Sequence, residues 1–153
     1  MKLEFTGAPL IATSPRHVWQ KLLDPDFVAA SAPGVESVVA TDPTHFKVIS
    51  GLGIGSVKIR FDLGVELFDI VDGERLKMRA RGRAPGSAVE VVSRLRVEDA
   101  GSGMTRLNWS ATCEVSGAMA SVGGRFLEGT ARRLTEQFWT DFARRVGASR
   151  LPG

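Results

Sequence analysis

The chain has 153 residues, 43% of them hydrophobic, with 20 Lys and Arg against 17 Asp and Glu, a net charge of +3 and an isoelectric point near 9.5. That length suits one domain, residues 1–153, with a substantial core, and so small a charge does not by itself argue for nucleic acid. A single cysteine, Cys113, excludes an internal disulfide and fits a reducing compartment.

The N-terminus alternates Lys2 and Glu4 with apolar Leu3 and Phe5, unlike the apolar region of a secretory signal. No apolar run approaches the roughly 18 residues needed to span a bilayer. The expectation is a cytoplasmic protein whose membrane contact is at most peripheral, at the inner face.

In chain order, Leu3 to Ala12 reads as a first strand, ended or interrupted near Pro9. Ser14-Pro15 starts a helix, with serine as N-cap and proline at the first helical position. Val18, Trp19, Leu22 and Leu23 give that helix one apolar side. Asp24-Pro25 breaks it and opens a second short helix through Phe27 to Ala30, which Pro33-Gly34 ends.

From Val35 the apolar period changes to two. Glu36 to Ala40 is a strand and Asp42-Pro43 a turn, and Phe46, Val48, Ser50, Leu52 and Ile54 share one face of the next strand. Gly51, Gly53 and Gly55 predict a bend or bulge. Val57, Ile59, Phe61, Leu63, Val65 and Leu67 then alternate with polar residues, and Asp72-Gly73 signals a hairpin. Leu76, Met78, Ala80 and Gly82 alternate with Arg75, Lys77, Arg79, Arg81 and Arg83. Beyond Pro85-Gly86, the inner face continues with Val89, Val91, Ser93, Leu95 and Val97. After a turn at Gly101 to Gly103 it closes with Leu107, Trp109, Ala111, Cys113 and Val115.

Ala118 to Gly147 is an amphipathic helix. At 100° per residue, Leu127, Ala131, Leu134, Phe138 and Phe142 fall within an arc of about 80°. Glu128, Arg132, Arg133, Glu136, Thr140 and Arg144 lie opposite. Glu128–Arg132 and Asp141–Arg145 have the spacing and order of favourable ion pairs, Arg144 and Arg145 suit the helix dipole, and Gly147 fits the position after the last turn. Gly123 and Gly124 lie in or just before its first turns. One face of an antiparallel sheet is apolar throughout, and only this helix is long enough to cover it. The order β-α-α-β-β-β-β-β-β-α makes one α+β domain.

Several stretches together resemble the CoxG family of carbon monoxide dehydrogenase subunits over nearly the whole chain: Val18-Trp19, Leu22, Asp24-Pro25 and Ala32-Pro33-Gly34; Gly55-Ser56-Val57-Lys58; Gly103-Met104-Thr105-Arg106-Leu107; and Gly117-Ala118-Met119-Ala120-Ser121-Val122-Gly123. The resemblance implies the START-like (SRPBCC) helix-grip fold: a curved seven-stranded antiparallel sheet around the long C-terminal helix, with a hydrophobic cavity between them. It also implies an accessory protein for a molybdenum hydroxylase of the carbon monoxide dehydrogenase type, aiding membrane recruitment or handling a lipid or quinone. Some members of that family carry a C-terminal membrane-binding extension; with Gly153 soon after the helix, such an anchor is not the expectation here.

Chemistry-bearing clusters are sparse. His17, His45 and Cys113 are far apart in sequence, so surface histidines and a buried, inert thiol are expected, with no metal site and no cofactor. Gly51-Leu52-Gly53-Ile54-Gly55 precedes a strand, which defeats a phosphate-loop reading. Inward-facing titratable groups are almost lacking, which argues against a catalytic residue.

Two candidate surfaces remain. The cavity would be lined by Phe46, Val48, Phe61, Leu63, Met78, Val91, Trp109, Ala111, Leu127, Ala131, Leu134 and Phe138, where bulky and small residues mix; periodicity alone does not separate a pocket from a packed core. Arg75, Lys77, Arg79, Arg81 and Arg83 form a basic strand face, joined by Lys58, Arg60, Arg94 and Arg96 and tempered by Asp62, Glu66, Glu90 and Glu98. No aromatics interleave there, so nucleic acid is not an expected partner. That face is either a solvated exterior or a docking surface for an acidic protein or anionic lipid. The function expected is non-enzymatic binding of a hydrophobic small molecule. The alternatives are a small cyclase- or dehydratase-type enzyme on the same fold, or a protein or membrane adaptor using the basic face.

Overall fold

The structure, a computed structural model, describes residues 1–149 apart from 33, 55 and 123, and excludes the side chains of 52, 54, 57, 122, 124 and 126. The expectations placed on Pro33, Gly55 and Gly123, and on the side chains of Leu52, Ile54 and Val57, lie outside the described residues.

The chain runs β1 (Lys2–Gly7), β2 (Leu10–Ile11), α1 (Pro15–Leu22), α2 (Pro25–Ala29), β3 (Val35–Asp42), β4 (His45–Ile54), β5 (Val57–Val71), β6 (Arg75–Ala84), β7 (Ser87–Gly101), β8 (Met104–Gly117), a 3-10 turn (Ala118–Val122) and α3 (Gly124–Ala148). The strands form one antiparallel sheet in the order β1-β8-β7-β6-β5-β4-β3, with β2 also on β8. The expected first strand is thus two short ones, divided at Ala8-Pro9. Proline has no N–H to give the ladder, and the Pro9 carbonyl instead accepts from Leu107 N.

Both short helices begin as their caps dictate. Ser14 Oγ accepts from His17 N at 3.3 Å and Asp24 Oδ1 from Phe27 N at 3.2 Å, each with proline in the first turn. Val18, Trp19 and Leu22 are buried, but Leu23 is the C-cap residue of α1 and is exposed. Trp19 Nε1 donates to Asp72 Oδ1 at 2.9 Å, tying α1 to the β5–β6 hairpin.

The glycines of β4 make no bend. Its register with β5 is unbroken from His45↔Glu66 to Ile54↔Val57. What Gly34 and Gly51 provide is a close crossing: Gly34 has φ +71°, a Cβ there would lie 1.8 Å from the Gly51 carbonyl oxygen, and Gly51 N donates to Gly34 O at 2.9 Å. The irregularity falls instead in β5 between Phe68 and Val71, where Asp69 takes φ 49°.

The long helix differs from expectation at both ends. Residues 118–122 form a separate 3-10 turn, held to the β6–β7 hairpin by Ala118 N to Gly86 O and Met119 N to Ser87 Oγ. At the other end Gly147 lies inside the helix, because Ser149 N still bonds Arg145 O. Glu128 pairs with Arg132 at 3.3 Å as expected, whereas Asp141 pairs with Arg144. Arg145 leaves the helix surface, donating to Phe27 O and Ser31 Oγ, both at 2.8 Å, with its guanidinium 4.2 Å from the Phe27 ring centroid. Those are three contacts with the α2 region against one surface ion pair, so tertiary structure outweighs the intrahelical option.

Candidate functional site

The inner face of the sheet and the facing side of α3 meet in two zones of different burial. In the first, the C-terminal half of α3 sends Trp139, Phe142, Ala143 and Val146 into the core, where Phe142 and Val146 have no exposed surface. Trp139 stacks on Trp109 at 6.3 Å and meets Phe142 edge-on at 5.6 Å, and Phe142 meets Phe27 edge-on at 5.8 Å. Gly7 makes room for this cluster, since a Cβ there would lie 2.5 Å from the Trp109 indole.

In the second zone, Ala131, Leu134 and Phe138 on α3, and Leu63, Ala80, Val89 and Val91 on the sheet, are only partly buried, although all but Leu134 pack against the core. Large and small residues mix on the sheet side, and Leu63 already covers Gly82 so closely that a Cβ there would lie 2.3 Å from Leu63 Cδ2. The nearest backbone neighbours of α3 are β1, β2, α1 and the 3-10 turn, so the helix is seated at one edge of the sheet.

Of the residues expected to line a cavity, Phe46, Val48, Phe61, Met78, Trp109, Ala111 and Leu127 are buried, and Leu63, Val91, Ala131, Leu134 and Phe138 are half-buried. Sequence reasoning missed Trp139, Ala143 and Val146. At 100° per residue they lie roughly 100–160° from Leu127, outside the single stripe assumed for the whole helix. The buried side rotates along α3 because its C-terminal half meets the α1 and α2 region, through His17, Phe27 and Ser31, as well as Trp109 of the sheet. Trp139, a tryptophan on the assumed polar side, was the available signal.

His17 is not a surface residue. It is buried at 4% exposure, with Nε2 3.3 Å from Ser149 Oγ and no partner for Nδ1. Its place beneath the end of α3 follows from the Ser14 cap, which turns residue 17 inward. His45 is at the surface: Nδ1 lies 2.9 Å from Asp42 Oδ1 and Nε2 3.4 Å from Glu66 Oε2. The hydrogen bond to Asp42, aided by the charges of Asp42 and Glu66, raises the His45 pKa and holds that of Asp42 down. Cys113 faces inward as a free thiol, and burial pushes its pKa up to about 11. Among the described residues no group of three or more His, Cys, Asp or Glu could hold a metal, and no helix is long and apolar enough to cross a membrane.

On the opposite face, three of the five basic residues of β6 are in ion pairs: Lys77 with Asp69 at 3.0 Å, Arg79 with Glu66 at 3.5 Å and Arg81 with Glu90 at 2.7 Å. Arg79 also lies over the Phe68 ring at 4.5 Å. Arg75 and Arg83 have no such partner among the described residues.

A curved antiparallel sheet of seven strands and one short addition, closed by a long C-terminal helix, is the START-like helix-grip architecture. Within it, the chain belongs to the CoxG family of carbon monoxide dehydrogenase subunits, whose family model matches residues 7–147. No curated protein sequence matches it. Among solved structures, a conserved protein from Geobacillus kaustophilus is similar at 24% identity, over 96% of this chain and 97% of that one, with a TM-score of 0.86. A START superfamily protein from Mycobacterium smegmatis is 12% identical over 96% and 99%, with a TM-score of 0.72. The Zhui aromatase/cyclase from a Streptomyces species is 13% identical over 97% and 93%, with a TM-score of 0.66. Likenesses at these identities establish the fold. Family and fold together give a ligand-binding accessory role.

Proposed function

We propose that this protein binds a hydrophobic small molecule, a lipid or quinone, between α3 and the inner face of the sheet, and does so as a non-enzymatic accessory to a carbon monoxide dehydrogenase-type molybdenum hydroxylase, at the membrane surface where such a molecule is exchanged. The observation that carries this reading is the second zone. Leu63, Val91, Ala131, Leu134 and Phe138 are half-buried, keeping part of their apolar surface open to solvent, and all but Leu134 pack against the core. Apolar area left exposed inside a fold forgoes about 25 cal/mol per Å², and binding an apolar ligand recovers it. The CoxG family match supports the accessory role, and the exposed Ile70, Val39 and Leu10 offer apolar points for peripheral membrane contact.

The enzymatic alternative, suggested by the aromatase/cyclase among the similar structures, needs a titratable group facing the ligand. Cys113 faces inward, and its raised pKa keeps it a protonated thiol at neutral pH. Native mass spectrometry before and after organic extraction tests the proposal. One lipid or quinone retained per chain and lost on extraction is the expected result. A ligand-free chain that takes up neither on incubation refutes it.

A further inference from the structure

The outer face of the sheet carries a second concave feature, a groove of about 980 Å³ floored by β6, β7 and β8 and bounded by β1 and the end of β5. The antiparallel register sets Arg75 directly opposite Arg96 and Lys77 directly opposite Arg94, so four cations stand at the corners of one cross-strand square. Directly opposed like charges destabilise a sheet. Elsewhere on this face the problem is solved by pairing, Arg81 with Glu90 and Arg79 with Glu66. In the groove only Lys77 is paired, with Asp69, which reaches it from the β5 irregularity in a left-handed conformation. Arg75, Arg94 and Arg96 have no carboxylate partner among the described residues, and the next strand places Asn108 and Ser110 beside Arg96 and Arg94.

We propose that this groove is a binding site for a phosphate-bearing ligand, its phosphoryl oxygens held by the guanidinium groups of Arg75, Arg94 and Arg96, with Asn108 and Ser110 as neutral hydrogen-bond partners. Three arginines lining one groove supply guanidinium forks of the charge and shape that phosphoryl oxygens take. Like-charge crowding that is unfavourable in the empty protein is relieved when a dianion enters. The volume accommodates an organic phosphate as well as the inorganic ion. The phosphoryl group is the shared chemistry of a soluble phosphate ester and a phospholipid headgroup. The groove lies across the sheet from α3, so this site stands or falls separately from the hydrophobic-ligand reading.

The test compares wild type with Arg94→Gln, the double variant Arg75→Gln/Arg96→Gln, and Arg83→Gln as a control on the same face outside the groove. Inorganic pyrophosphate and glycerol 3-phosphate are titrated by calorimetry in one arm. In the other, phosphatidic acid vesicles and neutral phosphatidylcholine vesicles are used in a sedimentation assay. Saturable binding in either arm is expected, weakened at least tenfold by Arg94→Gln and by the double variant and less than twofold by Arg83→Gln. The arm that binds names the source. Ligand-free Arg94→Gln should melt no lower than wild type, since it removes repulsion. Binding in neither arm at about 0.1 M salt, where charges beyond roughly 10 Å are screened, overturns the proposal. So does equal weakening by Arg83→Gln, or a melting point for Arg94→Gln well below wild type.

Discussion

Phe138 and Phe142 lie one turn apart on α3 and separate the two zones by their response to truncation. Phe142 has no exposed surface and meets both Trp139 and Phe27 edge-on. Its replacement by alanine leaves a cavity in a closed aromatic cluster, costing about 3–5 kcal/mol. For a chain of this length, 1 kcal/mol moves the melting point by about 2–4 °C, so the fall is on the order of 6–20 °C. Phe138 is half-buried and has one aromatic neighbour, Trp139, at 4.7 Å. Part of the roughly 1.5–3 kcal/mol of its full burial is never gained in the free protein, and Phe138→Ala should cost about 1–2 kcal/mol, edge-on contact included. Binding of an uncharged apolar dye such as Nile red, read with urea denaturation on the same samples, should show the reverse order. Phe138→Ala should weaken the dye at least fivefold, and Phe142→Ala less than twofold where it remains folded. Equal destabilisation by both, with dye binding unaffected by Phe138→Ala, would refute the reasoning and make Phe138 an ordinary core residue.

Ala131 and Ala111 make a second contrast. Ala131→Leu should fill the half-open zone at under about 1 kcal/mol while weakening apolar probes, whereas Ala111→Phe, at a site 2% exposed, should overpack the core by about 1–3 kcal/mol or more in denaturation experiments. His45 gives a pH signature of known sign. Its raised pKa contributes stability that is present below the unfolded value of about 6.5 and is lost as pH rises through the higher folded value, so the urea midpoint of wild type should decline slightly between pH 6 and 8 and that of His45→Gln should not; the change is small because the cluster is exposed. With its pKa near 11, Cys113 should resist iodoacetamide at pH 8 in the native protein and react on unfolding, and rapid native-state labelling would contradict its burial.

Much of the sheet was legible because period-two alternation is read residue by residue. Leu76 and Met78 against Arg75 and Lys77, or Leu107 to Val115 on β8, needed no knowledge of the partner strand. The helix was less legible because a 3.6-residue period describes one continuous face, and α3 has two. Its C-terminal half turns Trp139, Phe142 and Val146 into the core and is tied to the α2 region by Arg145 and Phe142, a rotation that only tertiary contacts impose. His17 was misplaced for a related reason, since a polar residue in a first helical turn carries no mark of burial. The basic strand was visible, but which of its cations are neutralised depends on Asp69 and Glu90 arriving from neighbouring strands. The groove involves register as well as pattern, for nothing in sequence order sets Arg75 beside Arg96.

The central claim is that a hydrophobic ligand enters beside Phe138, close to the stacked pair Trp109 and Trp139. Titration with a short-chain quinone, followed by tryptophan emission in a Trp19→Phe background, measures this directly, since Trp109 and Trp139 are then the remaining tryptophans. The account predicts saturable quenching at one site per chain, weakened by adding Ala131→Leu. Quenching that rises linearly without saturation, and equally in both proteins, would contradict it.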